Sequence, residues 1–188
     1  MAEKTTGLEG KVIFDEDQVE GMLSNIILQI EKRLKDEGID PNQVYVVGIK
    51  SGGVDLARRF AEYLGATDYF RENRQTPVKF GSIDCSYERD DPENFKVKGR
   101  GSDIINDLNG KYVFLVDEVS ATRRTALAAI NFLTYYWRPA KVSFVALVDR
   151  GGAELPIQPD FTGLTIPGNS DTGIIKYKDR KLLVLQRE

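Results

Sequence analysis

The chain has 188 residues, of which 41% are hydrophobic and 29% charged, with a formal net charge of −3. That length suits one domain with a full core, and the mild acidity argues against general nucleic-acid binding. There is no histidine and one cysteine, Cys85, which excludes histidine general bases, His–Cys nucleophile pairs, histidine metal sites and an intrachain disulfide.

Residues 1–10 are polar and are expected to be loosely ordered. They carry no apolar signal core, and no run approaches the roughly 20 apolar residues of a membrane span, so a cytoplasmic protein is expected. From Glu16, the residues Val19, Met22, Leu23, Ile26, Ile27, Ile30 and Leu34 recur at three and four, which predicts an amphipathic helix ending near Gly38. Residues 44–49 form a continuous apolar run, a buried strand. Ser51-Gly52-Gly53 breaks it, and Leu56, Ala57, Phe60, Ala61 and Leu64 mark the next helix. Residues 78–87 read as a strand, followed by a long polar connection over 88–107, the kind of segment that often serves as a binding loop. Asn109-Gly110 turns into a strand over 111–116. A helix over 125–137, a strand over 142–148, a turn-rich segment over 155–167 and a short strand over 182–185 complete the chain. Strands alternating with helices predict an α/β fold with a parallel, doubly wound sheet, in one domain over 1–188.

Two loops carry the chemistry. Asp117 and Glu118 follow the apolar run that ends at Val116. In an open α/β sheet, ligands sit beyond the carboxyl ends of the strands. Adjacent carboxylates there suit sugar hydroxyls or a hydrated cation. The loop Ala121, Thr122, Arg123, Arg124 and Thr125, which opens a helix, suits a phosphate. An ordinary charge pair at a helix N-terminus is the plainer alternative. A second loop, Lys50, Ser51 and Gly52, also joins a buried strand to a helix, with glycines for close approach and a lysine for charge. Two such loops on parallel strands would hold the two ends of one phosphorylated sugar.

Several segments together resemble a known family: Val47-Gly48-Ile49-Lys50-Ser51-Gly52-Gly53 with Leu56-Ala57; Gly81-Ser82-Ile83-Asp84 followed by Glu88-Arg89-Asp90-Asp91; the 113–125 stretch; and Asp149-Arg150-Gly151, Glu154-Leu155-Pro156-Ile157, Pro159-Asp160 and Ile166-Pro167. Over about residues 12–186 the chain resembles the pyrimidine operon attenuation proteins, which are also uracil phosphoribosyltransferases of the type I fold. That resemblance implies a flexible loop over 88–107 and a small hood over 149–167. It implies the reaction of uracil with phosphoribosyl pyrophosphate (PRPP) to give UMP and pyrophosphate, with Mg²⁺. Asp117 and Glu118 would hold the ribose hydroxyls directly or through Mg²⁺, and 121–125 would cradle the 5′-phosphate. Lys50, Ser51 and Gly52 would face the pyrophosphate, Arg89 would close over the reacting centre, and Val148, Asp149 and Ile166 would line the base pocket.

The departures from the family pattern matter as much as the matches. The family's phosphate loop reads Tyr-Thr-Gly-Arg-Thr where this chain has Ala121-Thr122-Arg123-Arg124-Thr125, its pyrophosphate loop carries arginine where Gly52 stands, and its second aspartate is Glu118 here. Three outcomes are open at Arg123: a distorted cradle, a guanidinium that fills the phosphate site, or a side chain that points outward. An active transferase and a non-catalytic nucleotide-sensing, regulatory or scaffold protein are both open. Specific RNA binding is not expected. The first helix offers only Lys32, Arg33 and Lys35, beside Glu31, Asp36 and Glu37, which is most simply a solvated helix end. The wide apolar arc of that helix predicts a homo-oligomer, a dimer most simply. Tyr135-Tyr136-Trp137 is expected to pack in the core or an interface, and Cys85 to be structural.

Overall fold

The computed structural model describes residues 11–50, 52–74, 76–85, 102–104, 106–166 and 173–185. The first helix, α1 (Glu16–Glu37), starts at a capping box in which the Asp15 carboxylate accepts from the Gln18 N–H and the Gln18 side chain accepts from the Asp15 N–H. Such a cap contributes about 1 kcal/mol. The helix stops at Gly38, whose φ of 63° is left-handed and whose N–H closes on the carbonyls of Leu34 and Lys35. The predicted apolar stripe is buried at Val19, Leu23, Ile26, Ile27, Ile30 and Leu34.

The central sheet is five-stranded and parallel, in the order β3 (Lys79–Ile83), β2 (Val44–Ile49), β4 (Tyr112–Ser120), β5 (Lys141–Asp149), β6 (Phe161–Thr165). All six residues of β2 are buried, the continuous apolar run expected of a strand covered on both faces. Helices α1 and α2 (Gly53–Ala66) cover one face, where Phe114 packs against Phe60, Tyr112 and Phe161 at ring separations of 5.9, 5.1 and 6.2 Å. Helix α4 (Arg124–Tyr136) covers the other through Ala126, Ala129 and Leu133 against Val47, Val113 and Leu115. This is the predicted doubly wound sheet. A short helix, α3 (Asp68–Asn73), follows α2.

A second, antiparallel sheet runs in the order β1 (Lys11–Phe14), β8 (Lys181–Leu185), β7 (Ile174–Lys178). Asp179 and Arg180, both at positive φ, make the two-residue turn between β7 and β8. Arg59 of α2 is buried and bonds the Tyr177 hydroxyl at 2.6 Å and the Glu20 carboxylate, which ties this sheet to α1 and α2. Strands β1, β6 and β7 were not legible in the sequence. The segment expected as a hood contributes β6 to the central sheet, while residues 150–160 are irregular and back the β4–α4 loop. Most of the expected loop over 88–107 lies outside the described residues, and Asp103 pairs antiparallel with Ser82.

Packing within the chain accounts for the apolar arc of α1 except at Leu28, which is 62% exposed, so that arc no longer argues for a second subunit. Lys32, Arg33 and Lys35 meet Asp36, Asp160 and Glu31. Of the aromatic run expected to pack in the core or an interface, Trp137 packs against the α4-side core, whereas Tyr135, 77% exposed, lies on the solvent side of the last turn of α4. Among the described residues, no helix is long and apolar enough to cross a membrane.

Candidate phosphate and sugar site

Strand β4 does not end at Val116. It runs through Asp117 and Glu118 to Ser120, pairing with β5 as far as Ser120–Asp149. Successive strand residues point to opposite faces, so the two acids separate. Asp117, 9% exposed, lines a small cavity of about 70 Å³ whose other walls are residues 119–123 with Thr125 and Ala126. Its Oδ1 accepts from the Glu118 N–H at 2.9 Å. Glu118 faces the α1–α2 side instead.

The cavity is closed by the N-terminus of α4. No side chain caps this helix, and the nearest candidate, Thr122 Oγ1, lies a long 3.4 Å from the Arg124 N–H. The first-turn N–H groups of a helix lack intrahelical partners and carry the positive end of its dipole. Here they open on the same cavity that Asp117 lines, a geometry suited to an anion with hydroxyl groups attached.

Arg123 resolves the three outcomes left open by the sequence. It sits at φ 74°, ψ 0°, the left-handed conformation that glycine adopts freely and that costs another residue about 1–2 kcal/mol. The cradle therefore keeps its turn without a glycine. The side chain neither points outward nor fills the cavity. It is 3% exposed and runs beneath the loop, where its guanidinium bonds Asp149 Oδ1 at 2.7 Å, Ser120 Oγ at 2.8 Å, the Ala121 carbonyl at 2.9 Å and the Ile157 carbonyl at 3.2 Å. These four acceptors offset the backbone cost and fasten the loop to the segment after β5. Two backbone bonds reinforce the attachment, from the Arg150 N–H to the Ser120 carbonyl at 2.8 Å and from the Glu154 N–H to the Thr122 carbonyl at 3.1 Å. Arg124, by contrast, is exposed and pairs with Glu154.

Glu118 reaches toward the other loop. Its Oε2 accepts from the Tyr177 N–H of β7 at 2.9 Å. Its carboxylate also lies where a side chain on Gly52 would begin, since a Cβ on Gly52 would stand 2.1 Å from the Glu118 carboxyl carbon. Gly52 has an ordinary φ of −83°, so conformation does not require glycine here, and a side chain at 52 would displace the flexible end of Glu118. Two departures from the family pattern, Glu118 and Gly52, are thus one steric unit. Burial pushes the Glu118 carboxyl above its usual value, and the Tyr177 N–H bond and the charge of Lys176 offset this only in part. The folded chain therefore holds the Glu118 proton more tightly than the unfolded one. The associated stability is present below the usual value of 4.5 and is lost as pH rises through the raised folded value. Glu118→Gln, which keeps the shape and an acceptor for Tyr177, is expected to be more stable than the wild type at pH 7.5 and equal to it at pH 4. Urea midpoints at the two pH values check this, and a variant less stable at pH 7.5 would contradict it.

The other expected site residues are placed as follows. Lys50 follows β2, its N–H bonded to the Ile83 carbonyl at 2.9 Å; Ser51 and Arg89 lie outside the described residues. Val148 is fully buried and packs in the core on the α1–α2 side, with Ile166 against the same cluster. Asp149 is engaged by Arg123 and by the Gly151 N–H at 2.8 Å. Ser120, Ile157 and Tyr177, which organise the site, had no role assigned from the sequence. The signal for Ser120 was the continuation of β4 beyond its acids.

Among the described residues no group of three acids, cysteines or histidines could hold a metal ion. Fold and site together define a class, and comparison with known proteins agrees: residues 16–180 match the phosphoribosyl transferase domain family. The bifunctional protein PyrR 1 of Lactiplantibacillus plantarum is 42% identical over 149 residues, 77% of each chain. The bifunctional protein PyrR of Bacillus cereus is 36% identical over 170 residues, 88% of this chain and 89% of the relative. The chain belongs to the phosphoribosyltransferase family and, within it, to the group of the PyrR proteins. Among solved structures, the hypoxanthine phosphoribosyltransferase of Trypanosoma cruzi superposes with a TM-score of 0.70 at 18% identity, covering 96% of this chain and 99% of its own. The enzyme of Leishmania tarentolae in complex with GMP gives 0.71 at 17%, covering 96% and 99%. At these identities the two share the fold.

Proposed function

We propose that the chain binds the phosphoribosyl group of a pyrimidine 5′-nucleotide at the β4–α4 loop, and that its reaction is uracil with PRPP to UMP and pyrophosphate. The observation that carries this is the phosphate cradle: Arg123 keeps the left-handed turn, its guanidinium stays beneath the loop, and the uncapped start of α4 opens beside Asp117. The 5′-phosphate accepts from the first-turn N–H groups of α4. Asp117 accepts from the ribose hydroxyls and fixes the sugar relative to the sheet edge. The site suits Mg²⁺ only as an ion carried mainly by ligand oxygens and water, since Asp117 is the carboxylate at the cavity and Mg²⁺ keeps several such ligands. When bound, the ion would neutralise the leaving pyrophosphate. The chain's part is then to hold the sugar and exclude water while its glycosidic carbon carries positive charge. Calorimetric titration of the full chain with UMP tests the proposal. Saturable micromolar binding is expected, and no binding by the folded protein would overturn it.

A specific observation favours a second reading, a non-catalytic nucleotide sensor on the same fold. Glu118 turns away from the cavity to Gly52 and Tyr177, so that one acid, not two, meets the sugar. Turnover of uracil and PRPP decides between the two readings. The single, buried cysteine, Cys85, fits a reducing compartment such as the cytoplasm.

A further inference from the structure

Two helices begin at the carboxyl edge of the central sheet, and they differ in what stands before them. The N-terminus of α4 opens on the cavity beside Asp117. The N-terminus of α2 begins at Gly52, also without a side-chain cap bond, and the carboxylate of Glu118 stands directly against it. That carboxylate is held in place from the far side by the Tyr177 N–H at 2.9 Å. The two loops are neighbours: β2 and β4 are adjacent and parallel, with Gly48 beside Val116, so that Lys50 and Gly52 follow close to Asp117 and Glu118.

Given the proposed binding of a 5′-nucleotide at the α4 cradle, we infer that Glu118, seated against Gly52, makes the site select a ligand with one anionic group over a sugar carrying a second, pyrophosphate-type group. A ligand whose single phosphate occupies the α4 cradle meets no obstacle at the β2–α2 loop. A ligand that also places a pyrophosphate there meets a resident carboxylate, and it is opposed by both its volume and its charge. A carboxylate already stands against Gly52 at that helix start, and it belongs to the chain. Gly52 itself adds no counter-charge, because it has no side chain. Lys50 is left as the cation of that loop.

The test is calorimetric titration of the full chain with UMP and, separately, PRPP, each with Mg²⁺ present. Three proteins are compared: wild type, Glu118→Asp, which draws the carboxylate back by one methylene, and Glu118→Gln, which keeps the shape and removes the charge. The wild type is expected to bind UMP at least tenfold more tightly than PRPP. Glu118→Asp is expected to raise PRPP affinity at least tenfold while UMP affinity stays within about threefold. Glu118→Gln is expected to raise PRPP affinity by less, because its carboxamide still fills the space at Gly52. Should Glu118→Asp fold poorly, the gain with Glu118→Gln alone carries the test. Wild-type affinity for PRPP equal to or above that for UMP would overturn the inference while leaving the nucleotide site intact, as would equal shifts for both ligands in both variants. Absence of UMP binding in the folded wild type would defeat the underlying site and the inference with it.

Discussion

Arg123→Ala is expected to destabilise the protein by about 3 kcal/mol, and Arg123→Gly by about 1–2 kcal/mol less. Alanine keeps the left-handed backbone at φ 74° and removes the guanidinium that partners Asp149, Ser120 and the carbonyls of Ala121 and Ile157. Asp149, whose side chain is only 13% exposed, is then a largely buried carboxylate that keeps just the Gly151 N–H among these partners. Removing one partner of such a pair leaves the desolvation cost of the other in place, which is why the loss exceeds that of a surface ion pair. Glycine suffers the same loss but relaxes the backbone. Urea denaturation of the three proteins measures both terms at once. If glycine were no better than alanine, the turn would not be left-handed. If both were as stable as the wild type, the Arg123–Asp149 pair would not hold the loop to the segment after β5.

The second large effect is expected at Asp117. Asp117→Asn should lower UMP affinity about tenfold to a hundredfold, the usual worth of a hydrogen bond to a charged group, and turnover by at least as much. The fold should survive, because an asparagine Oδ1 still accepts from the N–H of residue 118 as Asp117 does at 2.9 Å. In the sequence the two acids look equivalent, and either would be expected to matter equally for the sugar. The strand separates them: Asp117 lines the cavity, whereas Glu118 is bound by Tyr177 on the other face. A competition titration with UMP distinguishes the cases, and an Asp117→Asn protein that binds UMP as the wild type does would remove Asp117 from the site.

Much of the fold was legible because its signals were local. The apolar period of α1, its capping box and its terminal glycine all lie within one segment. The continuous runs of β2, β4 and β5 mark strands covered on both faces. The strands missed are all short and lie at the edges of their sheets. β1 pairs with β8 across the whole chain, and β6 is a short, partly exposed edge strand whose Gly163 and two threonines read as a turn. The candidate site was legible as loops and not as geometry. That Arg123 keeps a glycine-like turn depends on Asp149, Ile157 and Ser120, which the fold brings together from three segments. The fate of Glu118 depended on where β4 stops. Placing the strand end at Val116 sends both acids toward the ligand; extending it to Ser120 sends them apart. The reason for Gly52 was likewise hidden, since a carboxylate 66 positions along the chain, at Glu118, fills the space its side chain would need.

A crystal structure of the protein grown with UMP and Mg²⁺ tests the central claim most directly. The 5′-phosphate should lie in the cradle over 121–126, at the first turn of α4, with the ribose beside Asp117 and the Arg123 guanidinium still on Asp149. A phosphate bound elsewhere, or an Arg123 side chain withdrawn from Asp149 to occupy the cradle itself, would contradict it.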